Sequence, residues 1–538
     1  MPNEDAFDYV IIGAGSAGCV LANRLSADPN LRILLLEAGP RDRQPLVHLP
    51  FATAKLWPDP RLVWGFDTEP QAELGGRRLP VPRGKLLGGT SSINGMMAIR
   101  GHARDYDAWR DQGLPGWGFD DVLPYFKRLE SDWRGSGPFH GGDGPVAISR
   151  HPAPSPMLER AQEAARAMGF PLTDDFNGAQ TEGFGLPDFT VRRGRRASAA
   201  AAYLRPAIKR ANLTVHVNAQ AERITFDDGR ATGVSYRHDG NDRHVQAKRE
   251  VILSGGAINS PQLLMLSGIG PGEELRRLGL PVHIDRPAVG ANLQDHPGAG
   301  MEFALNPDWG FDRNLRFDRM VAAALRWVLT GGGPFGAPPM VISANLATAA
   351  DPSLVDLHFL LIPLAMDSRV WFPGIRKPRG PVMGAMWSLN YPRSRGHLSL
   401  RSADPRAAPR IQYNLLQDPF DQTEMVRGYK LLRKLMSQPP LAELLGPMLR
   451  PAPEPTSDTA ILDYIRSAAA TAFHPAGTCR MGADEEAVVD ASLRVRGVAG
   501  LRVVDASIFP SLPGGNTNLP VMMVAEKAAD MILDGLVE

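Results

Sequence analysis

The chain has 538 residues, 43% of them hydrophobic, with 59 Lys+Arg against 58 Asp+Glu. A chain this long buries most of its apolar surface and needs no metal or disulfide staple. The net charge of +1 excludes a global field that would hold nucleic acid or an anionic membrane. Two cysteines, Cys19 and Cys479, cannot make a disulfide framework or a structural zinc site. The N-terminus has neither the basic nor the apolar region of a signal peptide, and no run of about 18 apolar residues occurs. A cytoplasmic protein without a transmembrane segment is expected.

Residues 7–12, FDYVII, read as a buried strand. The turn Gly13-Ala14-Gly15-Ser16-Ala17-Gly18 follows, then a helical stretch and a second strand over 32–36, ending at Glu37 and Ala38. This strand–helix–strand unit has the spacing of a dinucleotide site. Gly13 permits the tight turn, Gly15 lets the backbone approach a pyrophosphate, and Gly18 lets helix and strand pack closely. The helix N-terminus offers unpaired N–H groups to phosphates. Glu37 can accept hydrogen bonds from both ribose hydroxyls and would repel a 2′-phosphate, which disfavours NADP. NAD and FAD both remain.

Residues 40–110 read as long loops rich in Pro, Gly and Trp, and the small residues of 82–95 can expose N–H groups in an anion-binding concavity. Residues 157–168 have the period of an amphipathic helix. Four strand-like runs over 213–253 suggest a β-meander, ending at Ser254-Gly255-Gly256 and another helix. Alternating strand and helix patterns fill 300–460. A strand over 501–504, then Asp505-Ala506 and the glycine turn 514–515 before a last helix, return to the nucleotide-site style. The first and last segments are therefore expected to share a domain.

The motifs GAGSAGCVLANRLS, the segment 84–107, the segment 256–270, NLQDH at 292–296, HPAGTC at 474–479 and GNTN at 515–518 run nearly end to end. By them the chain resembles the glucose–methanol–choline oxidoreductases, FAD enzymes that oxidise alcohols. The resemblance implies an α/β fold, α+β overall: a discontinuous Rossmann-like FAD-binding domain (1–155, 210–300 and 460–538) and a substrate domain (156–209 and 301–459) whose antiparallel sheet covers the flavin. It implies that Gly13, Gly15, Ser16, Ala17 and Gly18 carry the pyrophosphate, and that Glu37 and Ala38 hold the ribose. Gly89, Thr90, Asn94 and Gly95 would lie along the pyrophosphate and ring, and Ala221 would meet adenine. Asp505 and Ala506 would sit near the ribityl chain, Asn516 and Thr517 near the ring. Some members bind FAD covalently through a His before the position of Asn94. Ile93 stands there and cannot form the bond, so noncovalent FAD is expected.

Oxidising an alcohol removes a hydroxyl proton and a hydride from one carbon. The site needs a base near neutrality, which histidine suits, and a group to fix the hydroxyl. Flavin N5 takes the hydride. Of 12 histidines, His474 stands in a matched family segment and is expected to be the general base, with an ionisation near neutrality; Asn516 is expected to anchor the hydroxyl. His296 reads as a turn residue, and His140 and His358 lack comparable context. The run Arg192-Arg193-Gly194-Arg195-Arg196 reads as a solvated loop, Asp174-Asp175 as a solvated turn, and Trp57, Trp64 and Trp387 as either core or pocket wall. The expected activity is oxidation of a primary alcohol, with O2 or a quinone-type carrier as electron acceptor. A lyase acting on cyanohydrins, a flavin photodecarboxylase and a non-catalytic nucleotide-binding protein are the alternatives.

Overall fold

Continuous apolar runs suit strands covered on both faces, and the runs near the N-terminus take that position. The computed structural model describes residues 6–150, 156–306, 309–339, 342–348 and 354–535. Strand Ala6–Ile12 pairs in parallel with Ile33–Leu36 on one side and with Asn241–Leu253 on the other. Leu213–His216 and Leu501–Val503 extend the parallel sheet at its two ends. Leu213–His216 therefore leaves the expected meander: its neighbour is Ile33–Leu36, far earlier in the chain, and Ile33 N–H bonds to the Asn212 carbonyl at 2.9 Å. The meander proper is Ala219–Asp227, Arg230–His238 and the first half of Asn241–Leu253. Only the second half of that 13-residue strand joins the parallel sheet.

Helix Ser16–Leu25 covers this sheet and packs against the C-terminal helix Asn518–Asp534. A fully buried carboxylate, Glu526, joins them. It accepts from Arg24 in a bidentate pair at 2.9 and 2.7 Å and from the Tyr203 hydroxyl at 2.7 Å. The two ends of the chain thus meet in one layer.

A second, antiparallel sheet has the order Leu445–Arg450, Pro297–Leu305, Val382–Leu389, Leu357–Ile362, Ile342–Leu346 and Gly183–Gly185, with Ala470–Thr471 beside Pro297 and Gly298. Burial alternates along Pro297–Leu305 and Leu357–Ile362, the mark of a sheet with one face in a core. Phe359, Leu361 and Trp387 point into that core. The other face carries His358, Leu360 and Ile362 over the cavity described below. Strand Pro297–Leu305 spans the boundary expected at residue 300. The turn 292–296 joins the two sheets, which places Asp295 and His296 at their junction.

Candidate active site

A cavity of about 930 Å³ runs from the first glycine turn to the antiparallel sheet. Its nucleotide end is shaped by glycines. A Cβ on Gly13, whose φ is +100°, would lie 2.5 Å from the Ser254 carbonyl oxygen. A Cβ on Gly15 would meet nothing closer than 3.9 Å, so this backbone faces open space. Gly18 does not line the cavity; a Cβ there would fall 1.9 Å from the Gly13 carbonyl oxygen. Close packing of the turn on its own helix requires the glycine, as the spacing predicts. The helix N-terminus at Gly15 has no side-chain cap, and Ser254 Oγ is buried without a partner. These free donors and the elongated space fit a dinucleotide.

Glu37 is buried at the same end. Its Oε2 accepts the Ala14 N–H at 2.9 Å and its Oε1 the Gly39 N–H at 2.8 Å. Burial pushes its pKa up to about 7, against these two bonds and the nearby Lys85 charge. Each oxygen keeps a lone pair for a hydroxyl. Ser16, Ala17 and Ala38 line this end, Ala221 the adjacent wall, and Gly89, Thr90, Asn94 and Gly95 the middle. Asp505, Ala506 and Thr517 also line it. Asp505 accepts the Gly256 N–H at 2.8 Å and the Ser260 hydroxyl at 2.5 Å, clamping the second glycine turn to the C-terminal segment.

At the far end His474 Nε2 lies 3.1 Å from Asn516 Nδ2, and both residues line the cavity. The amide N–H₂ donates, so Nε2 carries the lone pair. The ring proton is then on Nδ1, which faces His296 Nδ1 at 3.0 Å. His296 accepts there and holds its own proton on Nε2, which is buried without a hydrogen-bond partner. Asp295 Oδ1 accepts the backbone N–H of both histidines at 2.9 Å. Burial, then the neighbouring His296, the Arg83 charge and His358, hold His474 well below the ordinary 6.5, so it is neutral at pH 7. This moves its ionisation below the neutral value expected from sequence. Burial also lowers His296 to about 3 and His358 to about 4 and raises Asp295 to about 7.

The Asn516 loop is fixed from outside. Asp105 Oδ2 accepts the N–H of Gly514 and of His102, both at 2.8 Å, and its Oδ1 accepts the Tyr391 hydroxyl at 2.8 Å. Asn516 Oδ1 is buried without a partner.

The sequence missed several participants. His296 is in contact with His474, and His358 lines the cavity and meets Ser343 Oγ at 2.9 Å. The NLQDH motif carried the signal for His296, but a turn alone does not say what it abuts. The arginine run is not wholly a solvated loop. Arg196 is 2% exposed, and its guanidinium donates to the carbonyls of Val47, Ser91 and Asn94, to Asn94 Oδ1 and to Thr53 Oγ1. Trp57 and Trp64 line the cavity, and Trp387 reaches its wall from the core side, where its indole N–H donates to the Met425 carbonyl at 3.1 Å. Elsewhere Glu130, Asp132 and His140 come close enough to suggest a metal site. Arg100 contacts Glu130, and Arg134 pairs with Asp132 and Asp188. His140 Nε2 meets Asp175 at 2.8 Å, so Asp175 is not in a solvated turn. Burial alone lowers His140, but hydrogen bonds to Asp175 and Glu130 raise it to about 9. The cluster supplies its own cations and reads as a structural ion network.

A dinucleotide cradle leading to a neutral histidine and an amide defines a flavin-dependent oxidoreductase acting on alcohols, and the known proteins agree. The sequence matches the GMC oxidoreductase pattern over residues 7–298 and again over 392–525, and the chain belongs to that family. It is 42% identical to an oxygen-dependent choline dehydrogenase of Rhizobium johnstonii, over 98% of this chain and 95% of that one. Its fold is similar to pyridoxine 4-oxidase from Mesorbium loti, with a TM-score of 0.88, 31% identity and coverage of 98% and 99% of the two chains. A formate oxidase aligns with a TM-score of 0.90, 28% identity and 99% of each chain. The protein is an FAD-dependent alcohol oxidoreductase with the two-domain fold of this family.

Proposed function

We propose that the enzyme oxidises a neutral primary alcohol to the aldehyde, with His474 as general base and Asn516 as the hydroxyl anchor. The observation that carries this reading is the 3.1 Å His474–Asn516 pair facing the cavity, with the imidazole kept neutral. The alcohol hydroxyl takes a hydrogen bond from the Asn516 amide and gives its proton to His474 Nε2. The imidazolium so formed keeps its Nδ1–H on His296, and the Asp295 carboxylate beneath both residues favours the new charge. FAD held in the cavity would supply the hydride acceptor, with O2 or a quinone-type carrier as the final electron acceptor. Gly13, Gly15, Ser16 and Ala17 would hold the pyrophosphate, Glu37 the ribose, and 89–95 with Thr517 the flavin end. The FAD unit comprises 1–155, 210–300 and 460–538, and the substrate unit 156–209 and 301–459, with the junction at the 292–296 turn. FAD is held without a covalent bond: Ile93 is buried among Val47, Leu56 and Leu86 and has no atom able to link it.

The curated relative is named for choline, a quaternary ammonium alcohol. Such a cation is held by a carboxylate or an aromatic cage. Among the described residues, the carboxylates lining this cavity are Glu37 and Asp505, both bonded by backbone N–H groups at the nucleotide end. Leu315, Met320, Leu360 and Ile362 wall the other end, together with the aromatic rings of Phe51, Trp57, Phe335 and Phe473. With no free carboxylate there among the described residues to pair a cation, this end favours an uncharged substrate.

The test is anaerobic mixing of holoenzyme with aliphatic, aromatic and quaternary ammonium alcohols. Neutral alcohols should bleach the flavin band, and choline should do so poorly. Bleaching by choline alone would overturn the substrate assignment. No bleaching by any alcohol would overturn oxidation and favour the lyase. Acid precipitation should release all the flavin; colour kept in the pellet would contradict noncovalent binding.

A further inference from the structure

Helix Phe317–Thr330 forms one wall of the cavity mouth. Met320 and the preceding Leu315 line the cavity from its inner side, and Ala323 and Trp327 pack beneath it on Phe335. Its outer side is apolar too. Phe317, Val321, Leu325, Val328 and Leu329 are exposed, Leu325 at 58% and Leu329 at 81%. At 100° per residue these five fall within one arc of about 120°. The loop packed on the helix start, where Phe372 stacks on Phe317 at 4.9 Å, extends the patch to Ile375, which is 88% exposed. Met366 is exposed and lines the cavity, so the patch reaches the opening. Isolated exposed apolar residues need no explanation, but a contiguous set marks an interaction surface.

The surrounding charge says what covers it. Residues 309–339 and 365–381 hold eight Arg and Lys against three Asp, a local excess of +5 on a chain whose total is +1. Arg316 pairs with Asp318, and Arg379 with Asp367 and Glu302. Arg319, Arg326, Arg369, Arg376 and Lys377 are exposed, with no salt bridge among the described residues. A second copy docking by a twofold axis would set this cationic rim against itself. Anionic lipid headgroups would neutralise it while the acyl region takes up the apolar arc.

We propose that this face docks on an anionic phospholipid bilayer, with helix Phe317–Thr330 lying in the headgroup layer and the cavity mouth turned toward the lipid. Among the described residues no helix is long and apolar enough to cross a membrane, so the contact is one of lying on the surface. An apolar alcohol or a quinone-type acceptor dissolved in the bilayer would then reach the cavity without crossing water. The docking does not depend on the alcohol reading.

Cosedimentation of holoenzyme with vesicles of phosphatidylglycerol and phosphatidylcholine, and with phosphatidylcholine alone, tests this. Binding should favour the anionic vesicles and weaken in about 0.5 M salt. The double variant Leu325→Glu/Leu329→Glu should bind about tenfold or more weakly, since it removes two apolar anchors. Arg319→Glu/Arg326→Glu should lose the preference for anionic vesicles. Both variants should keep full flavin and unchanged turnover of a water-soluble alcohol without vesicles. The proposal falls if wild type stays in the supernatant at low salt, or if the Glu variants bind as wild type does. It also falls if sedimentation equilibrium shows a dimer that Leu325→Glu/Leu329→Glu dissociates.

Discussion

The proposed base His474 can accept a proton only when neutral, and its surroundings, the Asp295 carboxyl apart, favour that form. Burial, His296, Arg83 and His358 all oppose protonation. The sign follows: activity is lost only as pH falls through the lowered pKa. The rate of flavin reduction should therefore stay level at and above pH 6.5, the ordinary histidine value, and decline only in more acid solution. A step near pH 7 that vanishes in Asp295→Asn would assign that ionisation to the carboxyl. Glu37 offers a second test at this scale. Glu37→Ala removes an acceptor from the ribose and from two backbone N–H groups, about 1–3 kcal/mol for a charged hydrogen bond. FAD should bind about tenfold to a hundredfold more weakly, read by flavin release on dilution, with little change in chemistry per bound flavin.

The segment 84–95 reads from sequence as a glycine-rich anion loop, but what holds it still does not. Arg196, about a hundred residues away, donates to the Ser91 and Asn94 carbonyls and ties them to Val47 and Thr53. Five donors in a fixed fork make this anchor, and lysine has three on a flexible stem. Arg196→Lys should keep the fold yet speed FAD dissociation, measured as apoflavoprotein formation over time; an unchanged rate would show that the loop holds itself. Composition marks a run of arginines as solvated because charges avoid burial without a partner. Here the partners are carbonyls from distant loops, a pattern that leaves no local signature. His296 was obscured in the same way: the turn is legible, but its contact with His474 spans the joint between two sheets. The strand Leu213–His216 shows a related limit, since its run is strand-like while its neighbour is set by the parallel sheet.

Over the whole molecule, the nucleotide cradle was legible because each part of the strand–glycine turn–helix–acid pattern lies within about thirty residues. The union of chain ends was legible in the repeated style of the C-terminal segment, and Glu526 with Arg24 supplies its physical reason. The substrate sheet was expected only through the family resemblance, because its cavity-wall residues come from four separated strands and carry no spacing rule. That assembly buries several neutral histidines. His358, lowered to about 4 by burial, binds a proton in the unfolded chain near 6.5 before the folded protein does. Stability therefore rises with pH between these values. His358→Gln should flatten that dependence by up to about 1.4 kcal/mol per pH unit in urea unfolding across the window; an unchanged slope would show that His358 is not held neutral by burial.

In the proposed reaction His474 removes the hydroxyl proton. Anaerobic stopped-flow reduction of the bound flavin by a good primary alcohol tests it most directly. His474→Ala should keep its FAD and reduce it about 10²–10⁴-fold more slowly than wild type, the usual contribution of a positioned acid–base group. Asn516→Ala should lose less, because the proton acceptor remains. Reduction of His474→Ala at the wild-type rate, at every pH tested, would contradict the assignment.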